Sequence, residues 1–199
     1  MKFRHIMLLA ILSTMLLFET ASASLLQNGD FSNGLNGWTV EQPVSVEGGE
    51  ARIGQPGPND DSLLSQDFTV PLWAPTIHVR FDYTYVGTSL TPPDEFWAWI
   101  DFSVAGGDFR ETLLLDQLTG NFDTLFFFDE MIATPADLVG SANNATIGFQ
   151  LTESDSPGSA GTRVELDNVS AAPVPEPSTL LLLSAGLIGL GLAGRRIRR

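Results

Sequence analysis

The residues best equipped for chemistry lie in Phe96-Trp97-Ala98-Trp99-Ile100-Asp101-Phe102-Ser103-Val104 and in the nearby stretch from His78 to Val86. Extended backbone sends successive side chains to opposite faces. In the first stretch Phe96, Ala98, Ile100, Phe102 and Val104 then make an apolar face, and Trp97, Trp99, Asp101 and Ser103 share the other. In the second, Val79, Phe81, Tyr83 and Tyr85 turn inward, leaving His78, Arg80, Asp82 and Thr84 outside. If the two strands are neighbours, one surface carries Trp97, Trp99, Asp101, Arg80, Asp82 and His78. Flat indoles beside carboxylates and a guanidinium suit a pyranose, whose C–H face stacks on the ring while its hydroxyls take hydrogen bonds. The competing reading makes both tryptophans core residues under a loop or a second sheet.

Catalytic readings find less support. His78 is the sole histidine outside the N-terminal segment, so a Ser-His-Asp arrangement would have to use it, and no G-x-S-x-G elbow accompanies it. One histidine and no cysteine exclude His-rich or Cys-ligated metal chemistry and thiolate nucleophiles. A glycosidase needs only two facing carboxylates, and Asp60-Asp61, Asp94-Glu95 and Asp129-Glu130 are adjacent acids. Neighbours in a strand point apart, however, and loop acids are usually solvated. The expectation is a non-catalytic domain, with a small polysaccharide-cleaving enzyme as one rival.

The elements that must position these residues are strands. A period of two recurs in Trp38–Val46, Glu50–Ile53, Leu63–Val70, Thr76–Val86, Glu95–Val104, Glu111–Leu115, Leu125–Phe128, Ala145–Leu151 and Thr162–Val169. Gly-, Pro-, Asn- and Asp-rich pieces separate them, and only Asp129–Val139 has room for a short helical turn. Many short strands at this spacing predict an all-β antiparallel sandwich.

Both ends of the chain read as processing signals. Met1-Lys2-Phe3-Arg4-His5 is a basic n-region, Ile6–Phe18 an apolar h-region, and Ala21-Ser22-Ala23 an A-x-A cleavage site, so residues 1–23 read as a signal peptide. At the other end Pro173-Val174-Pro175-Glu176-Pro177 is a stiff turn that proline keeps out of helices and central strands, with Val174–Pro177 as its motif. Residues 178–194 are uncharged and Leu/Gly-rich, about 26 Å long as a helix against a hydrocarbon core of ~30 Å. Arg195, Arg196, Arg198 and Arg199 then mark the cytoplasmic side.

Residues 24–172 are left as one domain of a size that buries a real core. Of the chain's 24 acids Glu19 and Glu176 lie outside it, leaving 22 against Arg52, Arg80, Arg110 and Arg163, a formal charge of −18. Such a surface argues against nucleic acid and anionic headgroups as partners. It suits solubility outside the cell and weak binding of multivalent cations by carboxylates.

Two resemblances follow from these residues. The order Pro175-Glu176-Pro177, apolar span, terminal arginines resembles the PEP-CTERM sorting tail over residues 173–199. That resemblance implies an exosortase as partner, export through the secretion machinery of a Gram-negative bacterium, transient anchoring in the inner membrane by the C-terminal helix, and an envelope or matrix rich in extracellular polysaccharide. Separately, Leu25–Trp38 (LLQNGDFSNGLNGW), Leu64–Val70 and Val164–Ser170 resemble the first, an early and the last strand of jelly-roll carbohydrate-binding modules of the galactose-binding-domain-like type. The implied fold is an antiparallel jelly-roll β-sandwich and the implied ligand a glycan. In such modules a structural calcium commonly ties the opening segment to an Asp of the last strand. Asp167 occupies that last-strand position. Ser32 stands where the family often has Glu, and Asp30 is close to the lost position. The remaining rival is a structural or adhesive surface protein cross-linked by divalent cations.

Overall fold

The computed structural model describes residues 23–41, 43–54, 61–104, 107–138, 143–154, 160–175, 183–184 and 186–188. Its elements are β1 (Thr39–Glu41), β2 (Val44–Glu47), β3 (Glu50–Ile53), β4 (Ser62–Val70), β5 (Thr76–Val104), β6 (Gly107–Ala133), a short 3-10 turn (Ala136–Leu138), β7 (Asn143–Thr152) and β8 (Ala160–Val174). All pairings are antiparallel.

β5 and β6 organise everything else. Residues 76–88 of β5 pair with β8, and 95–102 pair with β7. One layer is therefore β2-β3-β8 with the first half of β5, the other β1-β4-β7 with its second half, and β6 follows β5 through both. The sequence reading separated 76–86 from 95–104, and 111–115 from 125–128; the structure runs each pair into a single strand. The reason lies at Pro92-Pro93. The β5–β6 register jumps from Ser89↔Gly120 to Asp94↔Leu118, so the prolines fall in an irregularity where no ladder N–H is required of them.

The two layers pack their apolar faces together. Ile77, Val79 and Phe81 from the first half of β5 and Phe96, Ala98, Ile100 and Phe102 from the second are all fully buried. Rings lock the layers: Phe81 meets Phe149 of β7 edge-on at 5.1 Å and stacks on Phe128 of β6 at 4.7 Å. Tyr83 and Tyr85 meet Phe96 at 5.8 and 5.9 Å. Tyr85 donates its hydroxyl to Asp116 at 2.8 Å, and burial, ahead of that carboxylate, drives its ionisation far above the ordinary tyrosine range.

The opening segment, in which the resemblance implies a first strand, is a chain of turns without strand pairing. Phe31 and Trp38 are its buried anchors, 5.3 Å apart. Asn28, at φ 51°, holds the turns: its amide donates to the carbonyls of Gly34 and Asn36, and its Oδ1 accepts from Asn33 N–H. The buried Gln66 of β4 accepts from Gln27 N–H at 2.7 Å and donates to the carbonyls of Gln27 and Gly37. Gln66 thus does for the loop what a neighbouring strand would have done.

At the C-terminal side β8 runs through Pro173 to Val174, which pairs with Thr76. The sequence reading ended the domain at residue 172 and kept this turn out of any strand. Val174 is the last residue of the strand, where a proline just inside and another just beyond remove few ladder bonds. Of the expected helix over 178–194, Leu183, Ser184, Gly186, Leu187 and Ile188 are helical. Among the described residues no helix is long and apolar enough to cross a membrane. Residues 1–22, Glu176, Pro177 and the terminal arginines Arg195, Arg196, Arg198 and Arg199 lie outside the described residues.

Phe81 has the most to lose from truncation, since its ring touches both layers. Phe81→Ala is expected to destabilise the domain by about 3–5 kcal/mol, read as a lowered urea midpoint at unchanged slope; a change below 1 kcal/mol would contradict this account of the core.

Candidate functional site

The residues picked out from the sequence do not share one surface. Both halves of β5 point their apolar side chains into the sandwich, so their polar faces look outward on opposite layers. Trp97, Trp99 and Asp101 lie outside the β1-β4-β7 layer, while His78, Arg80 and Asp82 lie outside the β2-β3-β8 layer. The single mixed surface expected of neighbouring strands is corrected to two faces.

The Trp97 face is built in rows across four strands. One row reads Leu63, Gln150, Trp97, Leu115; the next Ser65, Gly148, Trp99, Thr112; the third Asp67, Thr146, Asp101, Arg110. Between the first two, β6 carries an extra residue: Ala98 faces Leu114 and Trp99 faces Thr112, so Leu113 has no partner. This bulge lets Leu113 and Leu114 both pack on the core.

Trp99 is 7% exposed, yet it is not part of the sandwich core. Its indole lies over Gly148, where an added Cβ would come within 2.4 Å of the ring. The Arg110 guanidinium covers it at 4.8 Å from the ring centroid, a cation–π contact. Arg110 in turn donates from Nε and Nη2 to the two carboxylate oxygens of Asp101, the first at 2.7 Å. That bidentate pair, above all its hydrogen bonds, raises the Arg110 pKa further. Both sequence readings of the tryptophans thus need correction: they are neither two open platforms nor two core residues. Trp97 stays partly exposed on the outer face; Trp99 is the base of a lidded stack.

Arg110 was missed as a site residue although its signal was present. With Val104 facing Gly107 across a tight hairpin, residue 101 must face 110. Other neighbours needed the fold. Thr146 donates to Asp67 at 2.6 Å, and Gln117 to Glu95 at 2.9 Å, giving the aromatic centre a polar rim on both sides.

On the opposite face, Asp129 of β6 pairs with His78 and, at 3.1 Å, with Arg80. The His78 hydrogen bond, then the Arg80 charge, lower its pKa. Asp82 accepts from the Asn168 amide at 2.7 Å. Next to it Asp167 accepts from Asn168 N–H at 2.7 Å. Its pKa is raised by burial first, then by the charges of Asp82 and Asp30. Glu50 is raised likewise by burial, Glu165 and Asp167. Asp30, the other expected calcium ligand, accepts from Ser32 N–H and Oγ in a local turn. Asp30 and Asp167 are therefore close enough to feel each other, but among the described residues no group of three or more carboxylate or histidine side chains is placed to hold a metal.

Among the described residues the adjacent acids do not form facing pairs. Asp94 is buried and accepts from Ser154 N–H at 2.7 Å, whereas Glu95 is bound by Gln117 outside. Asp129 is taken up by His78 and Arg80. Asp60 lies outside the described residues.

Two substitutions test this geometry. Gly148→Ala must displace the Trp99 indole, with an expected loss of about 1–3 kcal/mol and a red-shifted tryptophan emission; an unchanged spectrum would show that the ring does not lie there. Asp167→Asn removes a carboxylate whose folded pKa is raised, so ionisation works against the fold above that pKa and the penalty is absent below the unfolded value. In metal-free buffer at neutral pH the variant is expected to melt about 2–4 °C higher, with the gain vanishing below pH ~4; a lower melting point at neutral pH would mean that the carboxylate is needed as an anion.

Comparison with known proteins bears on fold and destination. Residues 173–199 match the PEP-CTERM protein-sorting motif. The sequence matches no curated protein. Among solved structures, TmCBM61 in complex with β-1,4-galactotriose is similar at TM-score 0.51 and 18% identity, over 77% of this chain and 100% of that one. The K3 cleaved adhesin domain of Lys-gingipain from Porphyromonas gingivalis gives 0.50 and 14%, over 75% and 99%. The enzymatically active domain of bacteriophage CBA120 tailspike protein 4 gives 0.51 and 16%, over 76% of this chain but 21% of that one. At such identities the likeness is one of fold, and it spans a sugar binder, an adhesin and an enzyme. The chain is an all-β sandwich of two antiparallel sheets, similar in fold to jelly-roll carbohydrate-binding modules, and it ends in a PEP-CTERM sorting motif, which implies an exported protein anchored by its C-terminal signal and sorted by an exosortase.

Proposed function

We propose that this is an envelope or extracellular-matrix protein of a Gram-negative bacterium whose non-catalytic domain binds glycan in the exopolysaccharide layer. The observation that carries the reading is the partly exposed Trp97 indole on an outer sheet face, set between Gln150 and Leu115 and rimmed by polar side chains. A half-buried indole already held by its strand gives a stacking platform at little entropic cost. The Asp101–Arg110 pair is internally neutralised, and the domain as a whole is strongly acidic. The favoured ligand is therefore an uncharged pyranose chain rather than a polyuronate. Secretion and inner-membrane insertion precede exosortase action in this scheme, and nucleic acid has no part in it.

A second reading draws on Asp30 and Asp167, which lie near enough for the Asp30 charge to add to burial and Asp82 in raising the Asp167 pKa. Calcium held there, with Asp30 and Asp167 as ligands, would serve structure or cross-linking rather than catalysis.

A glycan array on residues 24–175 tests the first reading. Trp97→Ala is expected to weaken binding at least about tenfold, while Arg80→Ala and Asp82→Asn, on the opposite layer, leave it unchanged. Binding lost in the Arg80 or Asp82 variants and kept in the Trp97 variant would move the site to the other face. Calcium-dependent self-association with no glycan bound would favour the second reading.

A further inference from the structure

Leu72 and Trp73 stand out among the described side chains as large apolar groups held outward by a rigid turn. They are 51% and 56% exposed. The turn is closed by Ala74 N–H donating to Pro71 carbonyl at 3.0 Å. Thr134 clamps it from β6's end: its N–H donates to Pro75 carbonyl at 2.9 Å and its buried hydroxyl to Ala74 carbonyl at 3.0 Å. Ala74 beneath is fully buried. An indole and an isobutyl group side by side on a turn this well fixed form an exposed apolar patch of the kind that an interacting surface covers.

Their position says what does. Thr76, three residues beyond Trp73, pairs with Val174, the last residue of β8. From Val174 to Ser178, where the uncharged span starts, four residues reach at most about 14 Å. Leu25 N–H donates to Ala171 carbonyl at 2.7 Å, so the N-terminal side of the domain also leaves near this pole. Met131, 59% exposed, lies there too, two positions from the Ala133 that faces Thr76. The turn Pro71–Pro75 carries no charge. While the tail is anchored, this pole stays within about that reach of the point where the span enters the bilayer.

We propose that Leu72 and Trp73 form a membrane-interface contact, seated at the headgroup–acyl boundary of the bilayer that the C-terminal tail spans. Tryptophan favours that boundary, with its ring body in the apolar zone and its N–H among the headgroups. The contact uses no anionic lipid, which a domain of this charge would repel. It would fix the domain's tilt and hold the Pro175-Glu176-Pro177 segment at a set height for its processing enzyme. The inference rests on the anchored tail and is independent of the glycan reading.

The test uses the full mature chain, 24–199, in liposomes of zwitterionic phosphatidylcholine with bromine at a shallow acyl position. Co-flotation reports insertion of the tail by itself. Tryptophan emission of the wild type is expected to be quenched, and Trp73→Phe to lose most of that quenching while still floating. The other three tryptophans, Trp38, Trp97 and Trp99, provide the unquenched background. Equal quenching in both proteins overturns the proposal. So does floated protein whose Trp73 is shielded from lipid by a second copy of the chain or by another polypeptide.

Discussion

One constraint governs the molecule: β5 must bury an apolar side chain at every second residue in two successive layers. Phe81 and Phe96 belong to one strand, yet each ends in the same core, reached from opposite sides. The strand can do this only by leaving one layer and entering the other, and β6 must follow it to keep the ladder hydrogen-bonded. Once that is fixed, every outward residue of the first half looks away from every outward residue of the second. The division of Trp97, Trp99 and Asp101 from Arg80 and Asp82 is a consequence of core burial.

The two outer faces then take different characters. On the Trp97 face Arg110 pairs with Asp101 and covers Trp99, while Asp67 and Glu95 take neutral donors and one indole stays partly exposed. On the other, Asp167 and Glu50 are pushed upward in pKa first by burial and then by the charges of neighbouring carboxylates. Face-specific chemistry in a sandwich arises this way, from which strands happen to lie beside one another rather than from any one strand. The fold itself is indifferent to it, since similar sandwiches occur in a galactotriose-binding module, an adhesin domain and a tailspike enzyme.

The polar knot around Asn28 and Gln66 shows how a segment without strand pairing still becomes part of the domain. A buried side-chain amide can satisfy several backbone groups at once. Phe31 and Trp38, buried in contact with each other, anchor the same segment in the core. The loop is thereby tied to β4, and through the Gly29 carbonyl, which accepts from Val169 N–H at 2.8 Å, to β8 as well.

By itself the sequence determined the all-β class, the inward set of β5 and the sorting tail, because each is written in local alternation or linear order. Even Arg110 opposite Asp101 was readable, given the hairpin between them. Only the tertiary structure decided that β5 spans two layers, that Gly148 leaves room for the Trp99 ring, and that Leu72 and Trp73 sit beside the exit of the tail. Those facts depend on pairings between residues some fifty to a hundred positions apart, such as Trp99 with Gly148 and Thr76 with Val174. Alternation states which side of a strand a residue occupies; it carries no information about which other strand lies next to it.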